Sequence, residues 1–279
     1  MDSSILSIIV FIIVTALYYY TVRPKLKMEF LADPAKMGEY QMSVFQSQGL
    51  YLVAVVFTQL IVNISMITSK CGGSSGQNLG AAFLITLIPW ILIFGVLMMF
   101  LIAYPGFLTP MSNIIGYYYV SGSANTILNK LLVNVDLNEQ IDESTDGDKK
   151  QKADLKSAAE AIVKLCGNTS ILINQITPSS FNKNWEMLLP LMKEEYKRVD
   201  GGPLKQQFLD LVVSRTNVGE VMWYFYTAIL LTSITQFSIA SRPCNTDLTT
   251  KLERQALYKE QQAAIDKQNA ISTSTVYTS

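Results

Sequence analysis

The chain has 279 residues, 49% of them apolar and only 16% charged, with a formal net charge of zero. Soluble domains carry roughly 25% charged residues, and here residues 71–129 contain no Asp, Glu, Lys or Arg at all, so a uniformly soluble chain is excluded. Histidine is absent as well, which removes the commonest general base, histidine-based triads and most zinc sites.

After a short N-terminus (1–4), residues 5–22 form an apolar run long enough for a first membrane span. It ends in "ALYYYTVRPKLK". Tyr18, Tyr19 and Tyr20 point in three directions around a helix, and all three suit a membrane interface, where rings sit among headgroups and hydroxyls reach water. Pro24 ends the helix. No basic n-region precedes the run and no small-residue cleavage site follows it, so it reads as an anchor and not as a cleavable signal. Arg23, Lys25 and Lys27 set the topology: with Lys36 they make 23–48 a basic loop, whereas only Asp2 precedes the span, which places the loop on the cytoplasmic side.

A second span is predicted over 49–69, with Gln59 and Asn63 as polar interruptions, then a short Gly/Ser loop over 70–79. The third span, 80–107, is the most hydrophobic, and Pro89 and Gly95 predict a kink in it. Residues 108–129 hold a second triplet, Tyr117, Tyr118 and Tyr119. It suits either an interfacial segment or a short strand on a membrane-proximal domain.

Residues 130–217 carry much of the chain's charge and read as a small helical aqueous domain. An acidic, turn-rich loop opens it, followed by "KADLKSAAEAIVKLCG" and "SFNKNWEMLLPLMKEEYKRV". Ser180 is a predicted N-cap, and Pro190 should divide the second of these helices. In "PLKQQFLDLVVSR", Pro203 occupies the first turn, with Leu204, Phe208, Leu211 and Val212 on one face. So small a bundle needs the membrane or a partner to complete its core.

Residues 218–240 form a fourth candidate span with Glu220 at its edge; the alternative is a buried helix of a soluble domain. Four crossings put the polar tail, 241–279, outside, although Arg242, Lys251 and Arg254 fit the basic side better. Within the tail, Thr250 and Glu253 form a capping-box pair, and Leu248, Leu252, Ala256 and Ala263 give a thin stripe. A helix to about Ile271 is expected.

Residues 142–153 fall near EF-hand spacing, but Ala153 stands where the bidentate Glu is required. No P-loop or dinucleotide fingerprint is present. The expectation is therefore of no enzyme, with no catalytic, cofactor-binding or metal-binding residue to nominate. Gln59, Asn63 and Gln236 could line a solute path, though single amides in spans more often bond helix to helix. In the four-span topology Cys71 and Cys244 lie on the same, non-cytoplasmic side and could form a disulfide, with Cys166 opposite. The sequons at Asn63, inside a span, and Asn168, on the cytoplasmic side, are expected to stay unglycosylated.

An anchor ending in "YYYTVRPKLK", further uncharged spans, a modest helical domain and a Ser/Thr-rich tail resemble the small multi-pass inner-membrane proteins of nucleocytoplasmic large DNA viruses. That resemblance implies an all-α, multi-pass structural or scaffold protein of the virion, associated with minor capsid proteins and anchoring an internal membrane to the capsid. Its partners would be the lipid bilayer and other structural proteins, met through 130–217 and the tail, with no nucleic acid and no cofactor. The rival expectation is a channel or transporter subunit.

Overall fold

A computed structural model describes residues 3–132, 169–244 and 248–274. The described residues are helical, with no strand among them. Three helical stretches are long and apolar enough to cross a membrane: Ile5–Val22, Pro34–Cys71 and Ser75–Ala103.

The first stretch is α1 (Ser3–Leu17), prolonged by a π-helical turn, Tyr18–Val22. It buries Ser7, Phe11, Thr15 and Tyr18 and exposes Ile9, Ile12, Ile13 and Leu17. Its buried residues recur at helical spacing, but the apolar face is the outer one. After α2 (Met28–Ala32), α3 (Pro34–Cys71) begins where the Asp33 side chain accepts from the Ala35 N–H at 2.9 Å and Pro34 opens the first turn. The loop expected over 23–48 therefore ends at Asp33, and the helix starts about four turns ahead of the apolar stretch.

Only residues 72–74 separate α3 from α4 (Ser75–Pro89), because Ser74 and Gln77 close a capping box. A π-helical turn, Trp90–Gly95, follows Pro89 and leads into α5 (Val96–Ala103). Pro89 cannot donate to the helical ladder, and the wider turn lies where its sequence position predicts a break. The helix stops four residues short of the expected 107, because Tyr104 leaves the helical region before Pro105.

The strand alternative for 108–129 is overturned. Helix α6 (Thr109–Met111), a π-helical turn over Ser112–Gly116 and α7 (Tyr117–Leu131) are continuous. Val120, Ala124, Ile127, Leu128 and Leu131 share one buried face, a helical period that a strand could not satisfy.

Pro190 divides its segment into α8 (Phe181–Leu188), a 3₁₀ turn and α9 (Glu194–Lys197). Ser180 stands at the N-cap position of α8, but its hydroxyl accepts from the Thr177 N–H instead of capping the helix. Helix α10 (Pro203–Ser241) joins the expected aqueous helix and the fourth apolar stretch into one rod of 39 residues. No breaker stands between Arg215 and Val218, so nothing interrupts the ladder at the expected boundary. The tail forms α11 (Leu248–Ser274). The EF-hand-like run, the helix expected near Leu155–Cys166 and the Asn168 sequon lie outside the described residues.

Two large apolar cores result. One joins Phe11, Tyr18, Tyr51, Val55, Trp90, Phe94 and Tyr224 between the long helices. The other gathers Val120, Leu128, Ile173, Phe181, Trp185, Phe208 and Val212. Leu26, Met28, Phe30 and Tyr40 pack into this second core, so the segment after the first span supplies part of the closure that the small bundle lacks.

Helix α10 meets the turn before α7 through glycines. A Cβ on Gly219 would lie 2.8 Å from Ser112 N and 3.0 Å from Ser112 Cα. Gly219→Ala is expected to cost about 1–3 kcal/mol through overpacking. The check is the thermal midpoint in detergent, with Gly122→Ala as the control, since nothing lies within 4 Å of Gly122.

In the second core, the Trp185 indole N–H donates to Asp200 at 2.9 Å, and Lys205 donates to the same carboxylate at 2.5 Å. Partial burial works to raise the Asp200 pKa, but these two donors outweigh it and hold the group below its ordinary 3.8. A depressed carboxylate stabilises the fold fully above its unfolded value and loses that contribution as pH falls through the folded one. Acidification below pH 3.8 should therefore weaken the fold and shift Trp185 fluorescence, a response that Asp200→Asn should abolish.

Candidate functional site

Glu220 is the only carboxylate between Val218 and Ala240, and α10 turns it inward until it is 4% exposed. A buried charge requires a partner, and Arg23, just past the first span, provides it: the guanidinium lies 2.7 Å from Glu220 Oε2. The other oxygen, Oε1, accepts from Gln48 Nε2 of α3 and from the Tyr224 hydroxyl, each at 2.7 Å. A cation from the chain after α1 and two hydrogen-bond donors, one from α3 and one from α10, thus converge on one carboxylate. The Arg23 guanidinium also sits 5.0 Å from the centre of the Tyr19 ring, within cation–π range. Burial alone would lower the Arg23 pKa, but the Glu220 charge overrides it and holds the group above its ordinary value.

A cavity of about 420 Å³ adjoins this cluster. Arg23, Gln48, Glu220 and Asn217 supply polar lining, while Leu101, Leu108 and Val213 supply apolar wall. Gln48 must turn its Nε2 toward the carboxylate, and its Oε1 is a buried acceptor without a hydrogen-bond partner. Gln48 itself is 4% exposed.

The first tyrosine triplet divides. Tyr18 is buried, its ring stacked on Tyr51 at 4.5 Å and its hydroxyl 3.3 Å from Ser47. Tyr19 packs edge-on against Tyr18 at 5.0 Å, and Tyr20 is 81% exposed. The expectation that all three sit at an interface is corrected for Tyr18, which continues the buried face of Ser7, Phe11 and Thr15 at ordinary helical spacing. In the second triplet, Tyr117 is half-buried with its hydroxyl 2.8 Å from Ser170, whereas Tyr118 and Tyr119 are exposed. Tyr19, Tyr20 and Tyr119 line one groove between α1 and α10, so the two triplets, far apart in sequence, meet in space.

Of the basic residues expected to set topology, Lys25 and Lys27 are exposed and Lys27 pairs with Glu29 at 3.3 Å. Arg23 is neutralised within the fold by Glu220, so it adds less net positive charge to the basic side than its position implies.

At the opposite end of α10, Cys71 and Cys244 are joined in a disulfide. Beside it, Lys70 Nζ donates to the carbonyls of Ile239, Ala240 and Arg242 at 2.8, 2.6 and 3.1 Å. A lysine on these last carbonyls satisfies groups that a helix end leaves open and complements its dipole.

Between the two ends, the amides join helices. Gln59 accepts from Ser7 at 2.5 Å and donates to its carbonyl at 3.0 Å, Asn63 donates to Thr86 at 2.8 Å, and Gln236 contacts the Met66 sulfur. Below the ion pair, Phe11, Trp90 and Phe94 close the bundle centre.

Arg215 is 2% exposed and donates to the carbonyls of Ile173 and Ile176, with Asn174 Oδ1 at 3.2 Å. Burial pulls its pKa down to about 10. It pins the 169–176 segment to α10.

Comparison with protein families, characterised proteins and solved structures finds no match. Among the described residues no cluster of His, Cys, Asp and Glu could hold a metal ion.

Sequence reasoning missed the Glu220 cluster. Its signal was present: one acid at the edge of an apolar stretch and one arginine beside the first span predict a pair once both helix ends lie at the same depth. That last condition is a matter of packing.

Proposed function

We propose that the protein is a four-span membrane scaffold that ties a bilayer to a surrounding protein assembly. Helix α11 carries the scaffold role. Its described side chains, at 252, 253 and 255–269 of the helix, are exposed, with Leu252, Leu257, Tyr258 and Ile265 among them. Helices in proteins draw most of their stability from a packed face, and these side chains supply one to an external partner. Residues 130–217 offer the second contact surface, on the opposite side of the membrane.

Several features support α10 as the fourth crossing. It buries Glu220, Thr232 and Thr235 and exposes Tyr226, Ile229, Leu230, Ile234 and Phe237, while the exposed Ser233 hydroxyl donates to the Ile229 carbonyl of its own helix. From Glu220 to Ser241 it rises about 30 Å at ~1.5 Å per residue, matching a hydrocarbon core of about 30 Å. The ion pair with Arg23 stands at one end of that length and the disulfide with Cys71 near the other. Alternating crossings then place the N-terminus, residues 72–74 and the tail on one face, and residues 23–33 and 109–217 on the other.

The setting we propose is the one implied by the resemblance to inner-membrane proteins of large DNA viruses, a virion membrane beneath its capsid. The interhelical use of Gln59, Asn63 and Gln236 favours a structural role over a solute path. Photo-cross-linking groups at Leu257 and Tyr258 in the native membrane should capture one protein species in high yield. Cross-links to lipid alone, or protein-dependent ion flux from purified chain in liposomes, would overturn the scaffold.

A further inference from the structure

The cavity beside Glu220 is neither a leftover of loose packing nor a purely apolar groove. Arg23, Glu220 and Gln48 line it, a cation, an anion and an amide, and the buried Gln48 Oε1 has no hydrogen-bond partner. Phe45 and Ile102, 48% and 43% exposed, flank it on the lipid-facing side. It lies at the basic-side end of the bundle, where α3, the turn after α5 and α10 come together.

We propose that this cavity holds the headgroup of a zwitterionic membrane phospholipid whose terminal ammonium donates hydrogen bonds, that is, an ethanolamine head. The ammonium donates to Gln48 Oε1, supplying the partner that a buried acceptor requires. The phosphate sits toward the Arg23 guanidinium, and one acyl chain leaves past Phe45 and Ile102 into the bilayer. The paired charges of Arg23 and Glu220 give the lining no net charge, which favours a zwitterion over an anionic head. A choline head has the same phosphate and the same net charge, but its trimethylated nitrogen has no N–H to give. This inference rests on the membrane embedding proposed above.

The test uses the full chain in nanodiscs containing equal amounts of phosphatidylethanolamine and phosphatidylcholine with the same acyl chains. Lipid retained per protein after mild detergent extraction is read by mass spectrometry. The expected result is about fivefold enrichment of the ethanolamine lipid over the bulk ratio, the size of one hydrogen-bond difference. Enrichment should fall to parity in Gln48→Met, which keeps volume but removes the acceptor. It should also vanish in Val44→Trp, which fills the cavity from α3. No enrichment in folded, disulfide-intact wild type overturns the proposal, as does full enrichment in Val44→Trp. A chain that fails to enter the nanodisc at all would instead overturn the membrane embedding.

Discussion

Glu220→Ala is expected to destabilise the bundle by about 3–5 kcal/mol, the cost of leaving one member of a buried ion pair without its partner. Glu220 is ion-paired with Arg23 and accepts from Gln48 and Tyr224, so truncation orphans a guanidinium, an amide and a phenol at once. The measurement is the thermal midpoint of purified protein in detergent. A double variant, Arg23→Met with Glu220→Leu, should recover most of the loss, because it removes both charges and fills the space with apolar atoms. If Glu220→Ala melts like wild type, the pair is not buried in the protein as it exists. If the double variant is as unstable as the single one, packing rather than charge sets the cost.

The second large effect concerns the other end of the bundle. Cys71 and Cys244 close a loop across 173 residues of sequence, and a cross-link of that span restricts the unfolded chain enough to stabilise the fold by about 2–4 kcal/mol. Wild type should migrate faster on a non-reducing gel than on a reducing one. Cys71→Ser and Cys244→Ser should each abolish the difference, and Cys166→Ser should preserve it. In sealed vesicles, a membrane-impermeant reductant should open the bond only from the face opposite Lys25 and Lys27. Opening from the Lys25 face would place both α3, which ends at Cys71, and α10 short of a full crossing.

These two experiments probe opposite ends of the same helix. Together they bracket the length that the proposed crossing of α10 would match to a bilayer. Loss of the ion pair leaves the disulfide able to form only if the helices still meet, so non-reducing gels of Glu220→Ala also report whether the bundle survives that change.

Much of the architecture was legible in the amino-acid order. The absence of charge over 71–129 marks buried or lipid-facing chain by composition alone. Pro89, Pro190 and Pro203 each punctuate a helix where they stand, because a missing N–H and a fixed φ act locally. The three apolar helices are announced by their runs without charge, but their lengths are not, since α3 begins about four turns ahead of its apolar stretch and the third helix ends at Ala103. Tertiary structure alone decided the rest. The course of α10 through Arg215 to Ser241 depends on having two different environments, an aqueous-domain core and a helix bundle, accept one uninterrupted rod. Tyr18 belongs to the core and Tyr20 to the surface because Tyr18 continues the buried face of Ser7, Phe11 and Thr15, and which face of α1 turns inward is decided by the helices packed against it. Arg23, Gln48, Glu220 and Tyr224 become one cluster only when three segments end at the same depth. Composition and local spacing are properties of neighbours in sequence, whereas a buried charge finds its partner through packing across the whole chain.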